Sequence, residues 1–91
     1  MVRHASPADI EAAVLALLAK RAEGTSICPS DVARALYPDD QAAWRGAMPQ
    51  VREVAAAMAR SGRLRISRRG ITLSPDDLGG GPIRLHRGDV P

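Results

Sequence analysis

Phenylalanine is absent from this 91-residue sequence, and Trp44 and Tyr37 are its only aromatic residues. Its interior must therefore be filled by Leu, Ile, Val, Met and Ala, and so many alanines call for helices that approach closely. A single cysteine, Cys28, rules out an intramolecular disulfide. No apolar run is long enough to span a bilayer and no secretory h-region is present, so a cytoplasmic protein without a membrane partner is expected. Lysine is nearly missing too: Lys20 is the one lysine among 13 basic residues. Repeats and low-complexity segments are absent apart from Gly79-Gly80-Gly81, which leaves nothing to divide into two domains. Residues 1–91 are thus expected to form one domain with an ordered core over about 6–86.

Hydrophobic residues make up 45% and charged residues 25%, an ordinary globular balance. The net charge of +3 is modest, but its placement is not. Residues 1–59 carry six Lys/Arg against seven Asp/Glu, whereas residues 60–91 carry seven against three. Clustered cations attract phosphates and release their counterions, so this asymmetry is the footprint of a polyanion binder. Its densest part is Arg60 to Thr72, with five arginines and no acid.

Helix signals start at Ser6, which can cap, with Pro7 suited to the first helical position and Asp9 at capping-box spacing. Ile10, Val14, Leu17 and Leu18 form an apolar stripe, and Gly24 after Lys20-Arg21 predicts a stop near Ala22. Thr25 to Ile27 favours a short strand. Pro29 and Asp31 open a second helix through Tyr37, with Val32, Ala33 and Leu36 inward. Pro49 would remove a helical donor at about 3 kcal/mol, which predicts a short helical turn around Trp44 and a new helix from Pro49 to Ser61. Val51, Val54, Ala55 and Met58 mark the inner face of that helix. Leu64 and Ile66 alternate with Arg63, Arg65 and Ser67 in a strand, Arg68-Arg69-Gly70 turns, and Ile71-Thr72-Leu73 returns. This order predicts a mainly α fold with a small antiparallel sheet: a winged helix-turn-helix of three helices and a β-hairpin wing, with 25–27 as third strand. Pro38 to Met48 makes the connection between the last two helices longer than a simple helix-turn-helix requires.

The segments CPSDVARAL at 28–36, WRGAMPQVRE at 44–53, GRLRISRRG at 62–70 and GPIRLH at 81–86 together resemble a family of small bacterial proteins of unknown function. The resemblance covers Ile10 to His86 and implies a winged-helix-like fold.

On the nucleic-acid reading, helix 49–61 presents Gln50, Glu53 and Arg60 to a major groove, where Gln suits adenine edges. Arg63, Arg65, Arg68 and Arg69 would hold phosphates or probe the minor groove from the wing. Glu53 and Ala57 are poor readers of bases, so backbone contact is the expected form. The bland alternative for the arginines is a solvated face. The expectation is a non-enzymatic protein that binds double-stranded DNA, as a transcriptional regulator. Its rival is a protein-interaction module that forms a homodimer or recruits a protein partner.

Other features read as structural. Trp44 anchors helices, while Arg45 and Arg52 pair with Asp39, Asp40 or Glu53. GGGPIRLH lacks the GK[ST] ending of a phosphate loop, so it reads as a flexible link followed by an extended segment that docks Ile83 and Leu85. Arg87 to Pro91 should be loose. Cys28, His4 and His86 lack zinc-site spacing, and Cys28 is expected buried and structural, which leaves no cofactor, metal or catalytic residue.

Overall fold

A computed structural model describes residues 5–22 and 24–89; His4, Val90 and Pro91 lie outside the described residues. Among the described residues three helices, α1 (Pro7–Ala19), α2 (Pro29–Leu36) and α3 (Gln41–Arg60), precede three strands, β1 (Leu64–Arg68), β2 (Ile71–Thr72) and β3 (Arg84–Arg87). The strands form one antiparallel sheet in the order β2-β1-β3. This is the mainly α fold with a small sheet that the sequence predicts, in winged-helix order.

The start of α1 follows local chemistry. Ser6 Oγ accepts from the Asp9 amide at 3.1 Å, and the Asp9 carboxylate accepts from the Ser6 amide at 2.9 Å. This is a reciprocal capping box with Pro7 in the first turn. The helix stops at Ala19 rather than near Ala22. Leu18 is its last buried residue and positions 19–22 are exposed, so another turn would bury nothing.

The proline does not divide α3, contrary to the expected break at Met48-Pro49: the helix runs unbroken through Pro49 for 20 residues. Pro49 itself is exposed, while Trp44, Ala47 and Met48 before it and Val51, Val54, Ala55 and Met58 after it pack on one core. Burial at about 1.5–3 kcal/mol for each large apolar side chain on both flanks outweighs the one lost donor. Asp40 caps the helix through Ala43 N–H at 3.0 Å. The link from α2 to α3 is consequently Tyr37–Asp40, a short helix-turn-helix connection rather than the long one expected.

Hairpin geometry departs by one residue. Arg68 pairs with Ile71 inside the ladder, so the turn is Arg69-Gly70 alone, with φ of 51° and 81°. Both turn residues have positive φ, as a two-residue hairpin turn of the I′ kind requires.

The third strand comes from the other end of the chain. Residues 84–87 pair with β1, Ile66 opposite Leu85, whereas the predicted strand at 25–27 supplies only an isolated bridge, Ile27 to Leu85. Ile83 and Leu85 do dock, at 2% and 0% exposure, and Leu85 joins Ile66 and Ile27 in the core with the inner faces of the helices. Arg87 is not loose: it belongs to β3 and donates to the Leu18 carbonyl at 2.6 Å. Cys28 is half-buried rather than buried. It is the N-cap residue of α2, where its amide donates to the Asp31 carboxylate at 2.9 Å.

Candidate nucleic-acid interface

The residues predicted to meet nucleic acid separate into two groups once their partners are known. Gln50 is half-buried, its amide turned toward the Ala5 carbonyl at 3.4 Å. Glu53 and Ala57 are exposed on α3. Arg60 forms an ion pair with Asp76 at 2.7 Å, and Arg63 pairs with Glu11 of α1. Both are neutralised by carboxylates. What α3 shows to solvent in its second half is therefore Glu53, Ala57 and a paired arginine, a surface without a good base-reading fork.

The wing retains its charge. Arg65 is exposed and makes one bond of 3.3 Å, to the Thr72 hydroxyl. Arg69, at the exposed turn, has no hydrogen bond or ion pair to any described residue. Arg68 is half-buried; its Nε donates to the Pro82 carbonyl at 2.9 Å and its Nη2 to the Leu78 and Gly81 carbonyls. Carbonyls hold a guanidinium in place but carry no net charge, so Arg68 is positioned without being neutralised.

Register completes the picture. Leu64 and Ile66 face the helices, and Arg65 alternates to the exposed outer face of the sheet; Ser67 shares that side by register but is itself buried, at 3% exposure. Their partners across β3 are His86 and Arg84, and Thr72 of β2 lies opposite Ser67. Ser67 bonds the His86 Nε2 at 2.7 Å, and Arg84 donates to the Ser26 hydroxyl at 2.9 Å. Partial burial, then the charges of Arg65 and Arg84, hold the His86 pKa below its ordinary value. No acidic residue occurs in 62–75 or in 78–88, the segments that build this face.

Beside the hairpin turn lies a groove of about 550 Å³ lined by Arg68, Arg69, Gly81, Pro82, Ile83 and Arg84. Sequence reading overlooked Arg84, although the inward Ile83 and Leu85 on either side already point it outward. It also paired Arg52 with acids, whereas Arg52 donates to the Gly79 and Gly81 carbonyls at 2.9 and 3.2 Å. Arg45 instead lies over the Trp44 ring at 5.6 Å from its centroid, with Arg34 of α2 at 4.7 Å. Trp44 thus joins α2 to α3 as a half-buried contact.

Among the described residues no three His, Cys, Asp or Glu side chains gather where a metal could be held, and no helix is long and apolar enough to cross a membrane. The model of a family described as protein of unknown function, DUF3253, matches residues 7–88. The chain belongs to DUF3253. That match spans the three helices, the hairpin and β3, so the DUF3253 region contains the whole candidate interface. No curated protein matches this DUF3253 chain.

Proposed function

We propose that this is a non-enzymatic DNA-binding protein that grips the phosphate backbone with the outer sheet face and hairpin turn, through Arg65, Arg69 and Arg84. The observation that carries the reading is charge that stays uncompensated. These three arginines are exposed and none is paired with a carboxylate among the described residues. Contacts of this kind fix position on a duplex and read little sequence, which suits the poor base-reading surface of α3. In its finer form the reading is a cytoplasmic transcriptional regulator.

An interaction module is less well supported. Among the described residues the large exposed hydrophobics are Leu15 on α1 and Ile71 in β2, single residues on separate elements rather than a patch.

Three phosphate contacts imply a slope of log K against log salt of about −2.7, so affinity for a short duplex should fall about 40-fold between 50 and 200 mM salt. Fluorescence anisotropy with a labelled duplex measures it. Arg65→Ala and Arg69→Ala should each make the slope shallower by about 0.9, while Arg60→Ala leaves it unchanged. Absence of binding at 50 mM salt, or a slope indifferent to the wing variants, refutes the proposal.

A further inference from the structure

Two guanidinium groups end on one acceptor. Arg52 Nη1 and Arg68 Nη2 both donate to the Gly81 carbonyl oxygen, at 3.2 and 3.0 Å, which holds the two nitrogens within about 6 Å of each other. Every other partner of the pair is also a neutral carbonyl: Gly79 for Arg52, Leu78 and Pro82 for Arg68. Like charges at this separation repel, and among the described residues no carboxylate forms an ion pair with Arg52, Arg68, Arg69 or Arg84. Of the two acids that precede the loop in sequence, Asp76 is paired with Arg60 and Asp77 is exposed and forms no ion pair among the described residues.

The loop is shaped to keep the cations there. Gly79 has φ of +66°, and a Cβ on Gly81 would come within 3.2 Å of Arg68 Nε, so the guanidinium lies against bare backbone. The groove described above opens over this wall. Arg69 and Arg84 line it, and the exposed Pro82 offers an apolar surface.

We infer that this groove is a phosphate seat, in which Arg68 is the fixed wall and Arg69 and Arg84 are the lining forks, with Arg52, bonded to the same Gly81 carbonyl, adding to the field. For its natural ligand the inference rests on the nucleic-acid reading: the phosphate is carried on a nucleic-acid strand or on a free nucleotide. An anion seated there relieves the repulsion that the neutral carbonyls leave in place, and the sugar lies on Pro82.

The test follows backbone amides of ¹⁵N-labelled protein by NMR as inorganic phosphate, thymidine 5′-monophosphate and the dinucleotide d(TpT) are added at ionic strength matched with chloride. Saturable shifts at Arg69, Gly70, Gly81 and Arg84 are expected, with apparent affinity at least tenfold weaker in the double variant Arg69→Asn, Arg84→Gln and unchanged in Arg60→Ala. Asn accepts the left-handed turn conformation, and Gln keeps a donor for Ser26. If Arg84→Gln lowers the melting temperature, Arg69→Asn alone carries the comparison. Tighter binding of d(TpT) identifies a strand as the source of the phosphate, and tighter binding of the monophosphate identifies a free nucleotide or strand end. Shifts no larger than those with chloride, or shifts retained in the variants, overturn the seat. Duplex binding that persists while these titrations are silent removes the seat and leaves the wider DNA reading standing; a saturable seat without duplex binding does the reverse.

Discussion

Replacement of Arg68 by alanine should damage the fold, whereas the same change at Arg69 should not, although the two residues are neighbours in sequence. Arg68 holds the Leu78, Gly81 and Pro82 carbonyls, and its removal also leaves Arg52 alone to retain the 79–81 loop. Hydrogen bonds from a charged donor contribute about 1.5–3 kcal/mol each when buried. The loop is half open to solvent and water replaces part of what is lost, so the three together are worth about 2–3 kcal/mol. For a domain of this size that lowers the melting temperature by roughly 10–20 °C. Ile83 lies two residues beyond Gly81 and is 2% exposed, so loosening should spread into β3. Circular dichroism melts give the magnitude, and hydrogen exchange should show faster exchange at the Leu85 amide, which bonds the Ile27 carbonyl at 2.7 Å. Arg69→Ala, at an exposed turn without a partner among the described residues, should stay within about 0.5 kcal/mol of the parent. Equal melting temperatures for the two variants would refute the assignment of Arg68 as the strut of the loop.

Three further outcomes follow from the same geometry. Gly88→Ala places a Cβ 2.1 Å from the Gly62 carbonyl oxygen and 2.7 Å from the Leu64 nitrogen, so β3 must move off β1. Urea unfolding should record a loss of about 2–4 kcal/mol, with Gly80→Ala, which meets nothing, as the neutral control. Gly46→Ala, in the exposed interior of α3 with open space around it, should raise stability by about 0.5–1 kcal/mol in the same assay. The depressed His86 pKa makes stability pH-dependent: the unfolded chain takes up this proton near its ordinary value of about 6.5 and the folded chain only below that. The contribution is therefore complete above this range and is lost as pH falls through it, and His86→Gln should flatten the decline in melts between pH 7 and 5.

Features governed by a few adjacent residues were legible in the sequence. The Ser6 and Asp9 capping box and the positive φ of Gly70 depend on nothing distant, and the stripe Ile10, Val14, Leu18 needs only a helical period. Pro49 misleads because its penalty is local while the burial that outweighs it comes from α1, α2 and the sheet. The third strand misleads for a related reason: 25–27 and 84–87 both favour extended structure, and only the register Ile66 to Leu85 decides which forms the ladder. At the interface, sequence locates the arginines but not the acids that silence them. Glu11 lies 52 residues from Arg63, and the carbonyls that hold Arg68 lie in a loop read as a flexible link. Arg65 and Arg69 are exposed and pair with no carboxylate among the described residues, and Arg84 was within reach of the alternation rule.

Because β1 receives its second neighbour from residues 84–87, a chain cut after the hairpin leaves that edge of β1 unpaired. Ile27 and Ile66, each at most 1% exposed in the intact protein, then have no Leu85 to cover them. β3 is thus the fastener of the fold: a truncation that spares every helix and the whole hairpin still leaves the core unsealed.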